Sequence, residues 1–279
     1  MNGKFRGAQD DIKNKFIEES NYKFKVYSKI KKNKIYYRVR SNSTYKFYKK
    51  NEMFHIPFEK RGLVNNQRYS ISGYPCLYLG SSAYGCWEAT GRPDTEKFNI
   101  VAIKTRKEFF LLDLRIPQSL YEINETLFAA DIYTLILSLA CSLKCSNNND
   151  PFKPEYIIPQ MILNLVIEDE KLGLSIDGVI YTSNTAYQKD SLFRLKDLLE
   201  QTKLFDNIVI PIKKSNKEGL CEDLVKGFTM TEPTSMLKEE LTRDITLPSS
   251  PDPEWNIYER TKWGELERKL KSGKFGPIE

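Results

Sequence analysis

Arg68–Asp94 reads RYSISGYPCLYLGSSAYGCWEATGRPD. Pro75 and Gly80 bracket the apolar run CLYLG, which predicts a short buried strand over Cys76–Gly80. Ser81 or Ser82 can then cap a helix that starts near Ala83, carries Glu88 and is stopped by Arg92-Pro93. Ahead of the strand, RYSISG is a turn segment bearing Arg68 and Tyr69. The many small residues let backbone come close to a flat, charged ligand. Arg68, the single glutamate Glu88 and several tyrosines are thus set around a strand–helix turn.

Outward from this stretch, the aromatic and β-branched run KIYYRVR (Lys34–Arg40) predicts a strand before it, and MFHIPF carries Pro57, an edge or loop signal. FNIVAIKT (Phe98–Thr105) and FFLLDLR (Phe109–Arg115) predict two strands after it. A helix follows with Leu127, Ile132, Leu135, Ile136, Leu139 and Ala140 on its buried face. Pro154–Asp169 predicts a second helix, IDGVIYTSN (Ile176–Asn184) a strand after a glycine-marked turn, and NIVIPI (Asn207–Ile212) the last clear strand. Weaker helical patterns run from Asp10 to Glu19 and from Trp255 to Lys271. Strands and helices mix without regular β-α-β alternation, so the fold class is α+β. The expected organisation is a basic N-terminal extension over 1–30, a core over 31–215, and a linker plus helix over 216–279.

With 279 residues, 40% hydrophobic and 29% charged, the chain can bury a core. The net charge of +6 is concentrated early, from Lys23 through Lys50. Such a run can meet an anionic partner, but a solvated lysine-rich face is the plainer reading, and nucleic acid is not the expected partner. The five cysteines form no Cys-x-x-Cys pair, and His55 is the sole histidine, so reduced structural thiols are expected rather than a metal site. The first residues lack an apolar signal core, and Thr126–Leu143 is too short and polar to span a bilayer; the expected location is the cytoplasm. No G-x-x-x-x-G-K-S/T or G-x-G-x-x-G loop, no H-E-x-x-H and no serine elbow is present.

What these exclusions leave is chemistry built on arginine and glutamate. Arginine's rigid fork of donors suits a pyrophosphate. A glutamate can bind ribose hydroxyls and favour positive charge on a sugar whose glycosidic bond is breaking. A tyrosine ring can stack on a flat base. None of this requires a metal or a histidine.

PCLYLGSSAYGCWEATGRPD, with YYRVR before it and YTSN after it, resembles the RES domain family, named for an arginine, a glutamate and a serine. The resemblance runs from about Ile35 to Ile212, with RYSISG and PEYIIPQ also in the family's order. It implies an ADP-ribosyltransferase-like core of small twisted β-sheets flanked by helices, acting on NAD+ as substrate with no further cofactor. It implies cleavage of the nicotinamide–ribose bond with water or phosphate as acceptor, or transfer of ADP-ribose to a protein, in a toxin of a toxin–antitoxin or phage-defence system. Expected partners are NAD+, a protein antitoxin and a second copy of the chain. Carried over by motif, Arg38, Glu88 and Ser183 are the catalytic residues, and Arg68 and Tyr78 bind NAD+, with Arg40 and Tyr69 as neighbours. Trp87 and the two extensions depart from the family's pattern. A catalytically inactive basic binding module is the alternative from another class.

Overall fold

The computed structural model describes residues 7–12, 14, 27–41, 47–115, 129–147, 150–168, 176–184, 202–214, 218–235 and 257–278. Eight strands form one mixed sheet: β1 (Tyr27–Ile30), β2 (Ile35–Ser41), β3 (Cys76–Gly80), β4 (Phe98–Thr105), β5 (Phe109–Leu114), β6 (Gly178–Thr182), β7 (Asp206–Pro211) and β8 (Phe228–Met230). Their spatial order is β1-β5-β6-β7-β3-β2-β4-β8. The β5–β6 pair is parallel and the other pairs are antiparallel. The helices bounded within the described residues are α1 (Ala83–Ala89), α2 (Ala129–Cys141), α3 (Ile157–Ile167), α4 (Glu222–Lys226) and α5 (Lys262–Ser272). The protein is α+β, with one eight-stranded sheet where several small ones were expected.

Strand alternation sorts the core onto two faces. On one, Leu77, Val101, Leu111, Ile180, Ile208 and Met230 pack over Met53 and Phe54. The other face is covered in two parts. Phe98, Ile100 and Ala102 of β4 and Tyr37 and Val39 of β2 lie under α1 and α5. Leu112, Leu114, Val179 and Val209 lie under α2 and α3.

The two parts meet at β2 and β3. Among the described residues these strands share one pair, Tyr37 with Gly80, whereas β3 pairs with β7 along its whole length. From this pair back toward Cys76 they form a seam. Across it Arg38 Nη1 donates to the Tyr78 carbonyl at 2.8 Å, supplying a donor where a neighbouring strand would have done so.

β3 and α1 follow the sequence. Ser82 caps α1, its Oγ accepting from Gly85 N at 2.8 Å, and Gly91, at φ +84°, ends it one residue before Arg92-Pro93. Residues 10–12 and 14 of the first expected helix are described and helical; the rest of it lies outside the described residues. The buried face of α2 differs from expectation: Ile136 and Leu139 are 59% and 47% exposed, while Leu137, Ser138 and Cys141 face the core. The apolar residues fit either phase, and packing against α3 selects the other one. Leu127 lies outside the described residues, and the side chain of Ile132 is not described. The glycine-marked turn expected before Ile176 lies outside the described residues; Gly178 opens β6, where a Cβ would collide with the Val209 carbonyl. β1 falls in the segment read as an N-terminal extension, and β8 and α5 in the C-terminal one. All three belong to this single sheet and its cover.

His55 is fully buried. Its Nδ1 donates to the Ile56 carbonyl at 2.9 Å and its Nε2 accepts from Cys221 N at 2.9 Å, so the ring is a neutral Nδ1–H tautomer. Burial lowers its pKa to about 4. Below pH 6.5 the unfolded chain takes up a proton that the folded chain refuses, so stability falls between pH 6.5 and 4 and levels off beneath that window. The loss at pH 5 is about 2 kcal/mol. Urea midpoints at pH 7 and pH 5 should show this drop. In His55→Asn the midpoint should be lower overall and nearly flat across the same window.

Candidate active site at the seam

A cavity of about 660 Å³ opens over the seam on the face shared by the two helical covers. Arg38, Val39 and Ser41 of β2 form its floor with Tyr78, Leu79 and Gly80 of β3. Cys86, Ala89 and Thr90 make the α1 wall. Arg68, Tyr69, Tyr156, Tyr181, Ser183 and Asn184 make the opposite wall, with Lys144 and Cys145. Three cations line the cavity, and among the described residues no carboxylate does.

The turn that presents Arg68 and Tyr69 is closed by two backbone hydrogen bonds between Gln67 and Ser70, of 3.0 and 3.1 Å. Gln160 of α3 holds it, its Nε2 donating to the carbonyls of Gln67 (2.9 Å) and Ser70 (3.3 Å) and to the side chain of Asn66. Tyr69 turns inward, its ring 4.4 Å from that of Tyr181. Arg68 turns toward the end of α2. Its Nη1 and Nη2 donate to the carbonyls of Cys141 (2.8 Å) and Leu143 (2.7 Å), where the helix dipole favours a cation. Its guanidinium lies 5.2 Å from the Tyr156 ring. Asn184 donates to the Ser142 carbonyl at 2.7 Å, so the same helix end is held from both sides.

Arg38 Nε is buried and makes no hydrogen bond among the described residues. Burial, then the nearby Arg40, lower the Arg38 pKa to about 10, which leaves the group charged at neutral pH. Burial holds the phenols of Tyr69, Tyr78 and Tyr181 well above their usual pKa, so they remain protonated. Burial likewise pushes the Cys86 thiol up to about 12. All five cysteines are free.

Of the residues expected at the site, Arg38, Arg68, Tyr69, Tyr78 and Ser183 come together on this cavity, from four separate stretches of chain. Ser183 is buried there, its N–H donating to the Phe205 carbonyl at 2.8 Å. Glu88 and Arg40 are not among the cavity walls. At 100° per residue, Glu88 falls on the opposite face of α1 from Cys86, Ala89 and Thr90. It is 3% exposed, accepts from the Tyr84 hydroxyl and from Arg92 Nε (2.8 Å), and lies within the aromatic cluster of Tyr84, Trp87 and Trp263. Arg40 donates to the Glu52 carbonyl and stacks over Tyr48 at 4.7 Å. Tyr156, Tyr181 and Gln160 are site elements the sequence did not single out. The start PEYIIPQ carries two of them, and the third stands two residues before Ser183.

Comparison with known proteins adds a relative. The chain is 34% identical over 241 residues to "Putative toxin YopC" of Bacillus subtilis (strain 168), an alignment covering 79% of this chain and 52% of that protein. The chain therefore spans about half the length of this relative. No family model matches the chain. No solved structure matches it either. Among the described residues, no helix is long and apolar enough to cross a membrane.

Proposed function

We propose that the chain is an NAD+-consuming enzyme that breaks the nicotinamide–ribose bond at the seam cavity. The observation that carries this reading is the convergence of Arg38, Arg68, Tyr69, Tyr78 and Ser183 on one cationic, tyrosine-lined cavity. Its volume lies within the usual range for small-molecule and cofactor sites. Arg38, whose buried Nε makes no hydrogen bond among the described residues, and Arg68 would take the pyrophosphate in this reading. The tyrosines offer faces for the nicotinamide or adenine ring and protonated hydroxyls for ribose oxygens. In the reaction the C–N bond breaks with its electron pair leaving on nicotinamide. A water oxygen, losing its proton, or a phosphate oxygen then bonds to the anomeric carbon. A protein side chain as acceptor is the third branch of the same chemistry. Toxin action, which the relative's name carries, would follow from NAD+ depletion, and an antitoxin would act by closing the cavity.

Glu88 acts in this reading through α1: its hydrogen bonds to Tyr84 and Arg92 hold the helix whose other face is a cavity wall. A second reading, an anion-binding module without turnover, is favoured by one observation: among the described residues, no carboxylate reaches the cavity to steady a developing sugar cation.

Purified protein incubated with NAD+, with and without phosphate, separates these readings by product mass. ADP-ribose, its 1″-phosphate or a modified protein each selects an acceptor. NAD+ that binds and stays intact selects the module. Glu88→Ala is expected to lower turnover by about 10–100-fold while the circular-dichroism spectrum keeps its shape. Wild-type rates in a folded Glu88→Ala protein would remove Glu88 from the mechanism.

A further inference from the structure

The helix that forms one wall of the cavity is a poor helix by itself. α1 has seven residues, among them a glycine, a tyrosine and a tryptophan, and isolated helices of that length do not hold in water. Its first turn leaves N–H groups that need acceptors. Ser82 Oγ takes that of Gly85. The other two go to residues some 180 positions downstream. Ala83 N donates to Glu267 Oε1 at 2.7 Å, and Tyr84 N donates to the Tyr258 hydroxyl at 3.4 Å, which itself donates to Glu267 Oε1 at 2.6 Å.

Glu267 belongs to α5 and is 6% exposed. Its negative charge sits at the positive end of α1, where a carboxylate is favoured. Lys271, one turn on, approaches its other oxygen at 3.6 Å. Burial and then the Glu267 carboxylate raise the Tyr37 phenol, so the same carboxylate also stands beside the residue that precedes Arg38 on β2. A second contact lies along the flank of α1, where Trp263 of α5 meets the rings of Tyr84 (5.9 Å), Trp87 (5.3 Å) and Phe98 (6.3 Å). The turn into α5 is itself fixed, since Thr261 Oγ1 accepts from Gly264 N at 3.1 Å and Gly264 lies too close to the Tyr258 carbonyl to admit a Cβ.

We propose that Glu267 is a positioning residue for the seam site: from the C-terminal helix it fixes the start of α1, and with it the wall formed by Cys86, Ala89 and Thr90, relative to Arg38. The site is then not confined to the central part of the chain. The effect on catalysis rests on the reading of the cavity as an NAD+ site; the effect on α1 does not.

The test is hydrogen–deuterium exchange on the full chain, paired with NAD+ cleavage kinetics. Glu267→Ala should speed exchange over residues 83–90 by about tenfold, the loss expected for a strong helix cap, while 109–114 and 178–182 stay within about twofold of wild type. Its kcat should fall by a similar factor with a smaller change in KM. Glu267→Gln, which still offers an oxygen to Ala83 N, should recover protection and most of kcat. If Glu267→Ala does not fold, Tyr258→Phe, which removes the acceptor for Tyr84 N, should loosen the same residues. Unchanged protection over 83–90 in every folded variant overturns the proposal. So does a loss spread equally over the whole sheet, which would make Glu267 a general stabiliser. If wild-type protein leaves NAD+ intact, the catalytic reading fails alone and the exchange pattern still decides the role of Glu267.

Discussion

Replacing Arg38 with alanine should slow nicotinamide release from NAD+ by about 10²–10³-fold while the protein stays folded, the scale seen when one preorganised donor is removed from a transition state. Arg38 stands at the seam floor with Nη1 on the Tyr78 carbonyl and, among the described residues, no partner on Nε. It is thus held in place by one part of its fork and free to bind with the rest. Losing the bond to Tyr78 costs about 1 kcal/mol of stability, too little to unfold the chain. Lysine restores the charge but not the fork, so Arg38→Lys should recover less than a tenth of the lost rate. Nicotinamide release measured beside thermal melting separates the two effects. An Arg38→Ala protein that releases nicotinamide within about threefold of the wild-type rate would end the assignment of Arg38 to the pyrophosphate.

Gly85→Ala should be the most damaging single-methyl change near the site. A Cβ at Gly85 would run into the Leu204 carbonyl, which is backbone and cannot swing aside, and would stand 3.0 Å from Ser82 Oγ, the cap of α1. The same carbonyl already accepts from Ser82 Oγ at 2.5 Å, so the cap, the glycine and residues 202–205 form one packed unit. Overpacking of this kind costs about 3 kcal/mol, or roughly 5 °C in Tm for a chain of this size. The wall of Cys86, Ala89 and Thr90 moves with the helix, so NAD+ affinity should fall too. A melting temperature within about 2 °C of wild type would mean that α1 can slide away from Leu204.

The parts of this protein that sequence reveals are those whose signals are local. β3 is bounded by Pro75 and Gly80, and α1 by Ser82 and Gly91, all inside one quoted stretch. Arg38, Arg68, Tyr69, Tyr78 and Ser183 were named through a family resemblance carried by four short stretches, and the fold brings those stretches to one cavity. Helix phase was not legible. In α1 the residues facing the cavity are small, so no apolar stripe tells that Glu88 points the other way, and in α2 both phases offer leucines and isoleucines. β8 is three residues long, too short for alternation to show. The supports were hidden for another reason. Gln160 holds a turn more than 90 positions earlier, and Glu267 caps a helix 184 positions earlier, and nothing in either neighbourhood states that.

The long reach of β3 also sets a clock on the newborn chain. β2 and β4 lie close in sequence and can pair early, but β3 must wait for β7, about 130 residues later, before it has a partner on its other side. At synthesis rates of about 5–20 residues per second that interval is on the order of ten seconds. During it the floor of the cavity lacks one of its two strands in fixed form, and Ser183 and Tyr181 arrive only toward its end. The nascent chain is therefore inert toward a ligand of the seam until most of it has been made, a built-in delay for any activity that would harm the cell producing it.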